Sequence, residues 1–323
     1  MPELPEVEAL VRFLGERTAG RTVAGIEVGS IAALKTVDPP PAALVGGVVR
    51  GWERHGKWLD LAVSADEPSG GDVRGSSGSA EGTAPRLSTH PVHLVFHLSR
   101  GGWVRWSDRL PATPVRPRLG GSGKGAVIAL RVRFDDGSGF DLTEAGTRKR
   151  LAVHVVRRPA DVGMVASLGI DPLDPAFTAG ELGRLLDARN QQVKGLLREQ
   201  SAIAGIGNAY SDEILHAARF SPFKLTRTFT EEDTARLHAA IEQVLAGAIA
   251  AATGKPAKEL KDAKRAGMRV HGRTGAPCPG WDGSPCGDTV HEVSFADRSL
   301  QYCPTCQTGG QVLADRRMSR LLR

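Results

Sequence analysis

Apolar residues recur at Val7, Leu10, Val11 and Leu14, the i, i+3, i+4, i+7 spacing that gives a helix one apolar face. Pro5 suits the first turn of that helix, where a missing N–H costs nothing. From Thr22 to Val156 the pattern changes to short apolar runs separated by turn residues. These predict strands at Thr22–Val28, Leu44–Trp52, Lys57–Val63, Val92–Leu98, Gly102–Trp106, Val127–Phe134 and Leu151–Val156. Many short strands with frequent turns read as a sandwich or barrel. Beyond Pro172 the period becomes helical. Thr178 with Glu181 has capping-box spacing ahead of Leu182, Leu185 and Leu186. Thr230 with Asp233 opens a second helix carrying Leu237, Ile241, Val244, Leu245 and Ile249, with Gly254 after its end. Between these two lies GIGNAYSDEILHAA, a glycine turn running into a helix. The chain closes with short strands among cysteines.

Two stretches interrupt the strands. Ser64–His90 is rich in Ser, Gly, Pro and charge and reads as a loop, as does Pro111–Gly125. The second contains GGSGKG, but Lys124 is followed by Gly125 rather than Ser or Thr, and no apolar strand leads into it. A nucleotide-binding loop is therefore rejected.

At 323 residues the chain has room for about two domains. Gly 39 and Pro 20 exceed the usual share, consistent with long loops. No run of 18 apolar residues exists, which excludes a spanning helix. The polar, acidic start MPELPEVE does not fit a signal peptide, so a soluble, cytoplasmic protein is expected. The formal net charge is +6, unevenly distributed: residues 255–323 hold 12 Lys/Arg against 7 Asp/Glu. Arg outnumbers Lys 32 to 10, favouring the forked donor that grips phosphate. A basic carboxy-terminal third suggests a polyanionic partner.

Three features carry chemistry. The four cysteines, Cys278, Cys286, Cys303 and Cys306, all lie near the carboxy terminus. Four thiolates satisfy one tetrahedral zinc, and so short a module has too little core to fold without it. The first pair is spaced C-x7-C, so the segment around Trp281 and Asp282 must bulge out for both sulfurs to reach one metal. Second, Gly205 and Gly207 permit close backbone approach ahead of a helix whose free N–H groups suit a phosphate, with Asn208 as an added donor. Third, Met1 precedes the small residue Pro2, so its removal is expected to expose a secondary amine. An α-amino group has a pKa of about 7.7–8.0, well below lysine, leaving a neutral fraction able to attack a sugar aldehyde carbon. Glu3 and Glu6 are near enough in sequence to carry protons.

MPELPEVE, RHGKWLDL with Lys57, GIGNAYSDEIL and the basic four-cysteine end with FADRSLQYCPTCQ occur in that order. Together they resemble the formamidopyrimidine-DNA glycosylase/endonuclease VIII family of base-excision repair enzymes, over nearly the whole chain. The resemblance implies an α+β multidomain protein: an N-terminal β-sandwich with a flanking helix (1–160), a helical helix-two-turn-helix domain (172–270), and a C-terminal zinc-finger β-hairpin with a basic tail (271–323). It implies Pro2 as nucleophile, Glu3 as acid/base partner and Lys57 as a hairpin lysine contacting DNA near the lesion. His97, Asn208 and Arg298 take the positions of phosphate contacts. It further implies one structural zinc, and double-stranded DNA with a damaged base or abasic site as partner to a monomer.

Some positions depart from the family pattern. Arg100 stands where the formamidopyrimidine branch has a void-filling Met. The companion Arg-x-Phe has become EAGTRKR over 144–150, leaving Arg148 as its partial substitute. The segment Gly254–Val270, where that branch covers 8-oxoguanine, is Lys-rich and short. The expected function is a bifunctional DNA glycosylase/AP lyase. Its competitors are a lyase acting mainly on pre-existing abasic sites and a non-catalytic damage-binding protein on the same scaffold.

Overall fold

In a computed structural model the described residues are 1–64, 91–117, 127–146, 148–294 and 299–314. The predicted loop over 65–90, the GGSGKG stretch and Arg298 lie outside them. Two compact units are present. The first comprises Met1–Pro2, Leu10–Arg54 and Trp58–Ala166, and the second Glu3–Ala9, His55–Lys57 and Ser167–Arg323.

The first unit holds most of helix α1 (Leu4–Thr18) and eight strands: β1 (Val23–Val28), β2 (Val48–His55), β3 (Trp58–Ser64), β4 (Val92–His97), β5 (Gly102–Ser107), β6 (Val127–Phe134), β7 (Gly139–Glu144) and β8 (Ala152–Val156), followed by the one-turn helix α2 (Gly163–Ala166). They form two four-stranded sheets in the orders β1-β6-β7-β5 and β2-β3-β4-β8. Alternation explains the layers: successive strand side chains point to opposite faces. Phe96 of one sheet meets Phe140 of the other with ring centroids 6.3 Å apart, and Trp52 packs edge-on to both. This is the expected β-sandwich.

Two strand readings change. Leu44 does not open a strand; Pro41–Leu44 forms a 3₁₀ turn and β2 starts at Val48. Strand β7 was not anticipated, because Asp141 breaks its apolar pattern. In the sheet Asp141 lies opposite Arg131, which donates from Nε and Nη2 at 2.7 and 2.9 Å. A paired carboxylate on a half-buried strand is tolerated where an unpaired one is not.

The second unit contains α3 (Ala179–Ala188), α4 (Val193–Arg198), α5 (Asn208–Ala217), α6 (Glu231–Ala252), α7 (Leu260–Gly267), the hairpin β9 (His291–Ser294) and β10 (Ser299–Tyr302), and α8 (Pro304–Thr308). The caps read from sequence are made: Thr178 Oγ1 accepts from Glu181 N at 3.2 Å and Thr230 Oγ1 from Asp233 N at 3.1 Å. Leu4, Ile206, Ile214, Leu237 and Leu245 share one fully buried core, so the start of α1 is anchored among α5 and α6. Among the described residues no helix is long and apolar enough to cross a membrane.

Candidate active site and metal centre

Glu3 stands immediately before α1 and is only 3% exposed. Its backbone N–H donates to Glu6 Oε2 at 2.9 Å, the backward half of a capping box. Its side chain leaves α1 and enters the amino terminus of α5. There Oε2 accepts from Gly207 N at 2.7 Å and Tyr210 N at 3.2 Å, while Oε1 accepts from Ala209 N at 3.0 Å. The neighbouring Leu4 N–H donates to Gly205 O at 3.0 Å. Both glycines are needed for this approach. A Cβ on Gly207 would lie 2.4 Å from Glu3 Cδ; one on Gly205, at φ +91°, would lie 2.7 Å from Leu4 Cδ1. The amides of Gly207, Ala209 and Tyr210 at the α5 amino terminus are thus taken by Glu3 itself, held by amides and helix dipole, so of the groups expected to meet a phosphate on this turn the Asn208 side chain is the one not engaged by Glu3.

Glu6 completes a polar cluster. Tyr210 donates its hydroxyl to Glu6 Oε1 at 2.6 Å, and Lys264 donates to Glu6 Oε2 at 2.8 Å. Lys264 Nζ also lies 3.7 Å from Glu3 Oε1. Burial pushes the Glu3 carboxyl up, but Lys264, Lys57 and the amides of Ala209 and Tyr210 outweigh it and hold the group below the ordinary carboxylate range. Burial pushes the Tyr210 hydroxyl well above its usual value, reinforced by Glu6.

Lys57 occupies the turn between β2 and β3, beside Gly56 at φ +56°. It is buried and donates to Ile206 O at 2.8 Å. Burial lowers its pKa to about 8, with Glu3 opposing and Lys264 and Arg198 adding to the shift. At neutral pH this amine is therefore mostly protonated, with a larger neutral fraction than an ordinary lysine has. Pro2 is buried and precedes Glu3 directly, whereas Met1 is 48% exposed.

Asn208 opens α5, and its Nδ2 donates to Ser299 O at 2.9 Å, leaving Oδ1 buried and unpartnered. Beneath it Lys194 donates to Asp212 at 2.5 Å and to Ser211 at 2.8 Å, a buried anchor for the two-turn element that the sequence reading missed. Its signal was only a lysine on an apolar helix face. In the first unit His97 ends β4, half-buried; its Nδ1 accepts from Ser99 N at 3.2 Å, and its ring packs on Trp58. Arg100 and Arg148 are exposed. Glu144, at the end of β7, accepts from the backbone N–H groups of Arg150 and Leu151.

The four cysteines converge. Their sulfurs all lie within 4.8 Å of one another, with Cys278–Cys306 at 3.9 Å and Cys286–Cys303 at 3.5 Å, and none is in a disulfide. Zn–S bonds of about 2.3 Å in a tetrahedron place sulfurs roughly 3.8 Å apart, so this set fits one structural zinc and leaves no open position. The long first spacing is absorbed by a loop closed where Cys278 N donates to Asp288 O at 2.8 Å. Gly280 and Gly283, both at positive φ, make its turns. His216, fully buried on α5, places Nε2 3.3 Å from Cys278 Sγ, and Gly280 N donates to the same sulfur at 3.4 Å. Both would steady the Cys278 thiolate of a bound zinc from outside the metal's own shell.

Residues 1–153 match the formamidopyrimidine-DNA glycosylase N-terminal domain, 168–258 its H2TH domain, and 284–309 the zinc finger found in FPG and IleRS. The zinc-finger match begins after Cys278, the ligand that the widened spacing displaces. Sandwich, cradled glutamate and thiolate knuckle thus define a DNA-repair glycosylase with a zinc finger. The formamidopyrimidine-DNA glycosylase of Symbiobacterium thermophilum is 32% identical over 318 residues, spanning 95% of this chain and 89% of that one. The MutM (Fpg) protein of Thermus thermophilus superposes with a TM-score of 0.69 at 28% identity, covering 96% of this chain and 100% of that one. Lactococcus lactis Fpg in complex with DNA containing an oxidised pyrimidine superposes at 0.70 with 25% identity, over 95% and 100%. The chain belongs to the formamidopyrimidine-DNA glycosylase family.

Proposed function

We propose that the protein is a bifunctional glycosylase/AP lyase that removes a damaged base from duplex DNA through the amine of Pro2 and then cleaves the strand. The observation that carries this reading is a buried carboxylate, Glu3, held ionised by three backbone amides one residue after that amine. Phosphate binding alone needs neither group.

With Met1 removed, the Pro2 nitrogen attacks C1′ with its lone pair, and the C1′–base bond breaks with its electron pair going to the base. The base takes up the proton that the attacking nitrogen gives up; the C1′–O4′ bond then breaks, O4′ taking a proton from water, while the nitrogen lone pair forms an iminium between Pro2 and C1′. The iminium acidifies the C2′ proton. Glu3, held as a carboxylate, accepts it, and the electron pair expels the 3′ phosphate; a second elimination releases the 5′ phosphate. Water then hydrolyses the iminium and regenerates the amine. Lys57, Asn208 and Arg298 grip the DNA backbone in this reading, Asn208 exchanging the Ser299 carbonyl for a phosphate. Flipping the damaged nucleotide costs a few kcal/mol, least for pairs already weakened. The L. lactis complex with damaged DNA supports the choice of partner. The zinc is structural and takes no part in these steps.

Borohydride trapping on abasic DNA tests the reading. The expected adduct maps to residue 2 by mass spectrometry, and Pro2→Gly reacts far more slowly. An adduct on Lys57, whose amine is also partly neutral, overturns the assignment.

A further inference from the structure

Of the lysines and arginines in the segment 254–270, Lys255, Lys258, Lys261, Arg265 and Arg269 are exposed, whereas Lys264 is turned inward. The reason is helical spacing. Leu260, Lys264 and Met268 recur at intervals of four along one face of α7, and Leu260 and Met268 are buried. Lys264 Nζ lies 2.8 Å from Glu6 Oε2, 3.7 Å from Glu3 Oε1 and 4.6 Å from the Tyr210 ring centroid. Just past α7, the chain is pinned to α5, because Glu213 accepts from Arg269 N, Val270 N and His271 N at 2.8–3.0 Å.

We propose that Lys264 is a positioning residue for proton transfer: its ammonium, set between the Glu6 and Glu3 carboxylates, keeps Glu3 able to accept a proton. This rests on the role given to Glu3 above. The charge balance makes the case. Glu3 is faced by Glu6 from its own helix, Lys57 from the β2–β3 turn, Lys194 from α4, Tyr210 from α5 and Lys264 from α7. Arg198 acts through Lys57, Glu213 through Tyr210, and Asp212 neutralises Lys194. Without Lys264, Glu3 loses the first of the two cations, Lys264 and Lys57, that offset its burial, so its carboxyl takes up a proton more readily. Tyr210 cannot relieve it, being held neutral by its burial and by the same carboxylates.

A cavity of about 310 Å³ is lined by Lys264 together with Glu6, Tyr210 and the α6 residues Gly247 and Ala248. It leaves room for a guanidinium, which makes Lys264→Arg a fair conservative control. The test uses full-length zinc-loaded protein: wild type, Lys264→Met, Lys264→Gln and Lys264→Arg. Single-turnover cleavage of abasic duplex is followed against pH, and carboxyl ¹³C titration of Glu3 is followed by NMR. The Met and Gln variants are expected to move the acid limb of the rate profile and the Glu3 titration toward higher pH. The rate loss at the acid end should be on the order of tenfold, short of the 10²–10⁴ typical of deleting an acid–base group. Lys264→Arg restores both. A uniform rate loss with an unmoved limb and titration, or no rescue by Arg, overturns the proposal. If Lys264→Met fails to fold, Lys264→Gln, which keeps a donor to Glu6, decides it. If wild type forms no Pro2 adduct, the mechanism fails separately, and the titration still decides whether Lys264 sets the ionisation of Glu3.

Discussion

Glu3 Oε2 accepts the Gly207 amide at 2.7 Å across 204 residues of sequence, and the absence of a side chain on Gly207 is what lets it do so. The amino-terminal carboxylate and the glycine turn are halves of one device. A helix amino terminus attracts anions, and here the anion is supplied by the chain.

Gly207→Ala puts a methyl group 2.4 Å from Glu3 Cδ, so the carboxylate must leave its amides. The expected outcome is a loss of cleavage of about 10² or more, with a stability cost of about 1–3 kcal/mol from overpacking. Kinetics alongside circular dichroism check it. Unchanged cleavage means that Glu3 works from outside this cradle.

Lys57 is held in its protonated form at neutral pH against burial, with its pKa lowered to about 8. The unfolded chain binds this proton more tightly. Stability therefore rises with pH between about 8 and the unperturbed lysine value, and the cost is fully present below about 8. That cost is on the order of 3 kcal/mol, set against about 1 kcal/mol for the hydrogen bond to Ile206. Lys57→Met is thus expected to raise Tm at pH 7 while lowering cleavage, the gain shrinking above pH 8. A lower Tm at pH 7 counts against this account.

Elemental analysis should find one zinc per chain in wild type and none in Cys278→Ser or Cys303→Ser, with DNA affinity lost together with the metal. Retention of zinc by Cys278→Ser means that the looped-out first ligand is dispensable. His216→Ala keeps all four thiolates but removes the donor to Cys278. It should weaken metal affinity by about 10–100-fold, read by competition with a chelator.

Arg100 is exposed in the turn after β4. A guanidinium can fill a base-sized void only while paired or hydrated, so it should engage acceptors such as guanine O6 and N7. Poor excision of 8-oxoguanine opposite C is expected relative to thymine glycol or abasic sites. The difference should be on the order of 1–3 kcal/mol per lost contact and be reduced in Arg100→Met. Equal single-turnover rates on all three duplexes, unaltered by Arg100→Met, mean that Arg100 is only a surface cation.

Periodicity alone determined α1, the two capped helices and seven of the strands, because side-chain alternation and helical spacing are local properties of the chain. The order of the motifs identified the family, and the cysteine count implied the metal. Tertiary structure decided the rest. Strand β7 was hidden by Asp141, whose partner Arg131 lies on the neighbouring strand. The amides of the glycine turn were legible in sequence, whereas the carboxylate that occupies them, 204 residues away, was not. Lys264 read as one more lysine in a basic segment. Only folding, which turns that face of α7 toward Glu6, shows which lysine is half-buried against carboxylates and therefore which charge counts, since a fully solvated ammonium is screened more than a partly buried one.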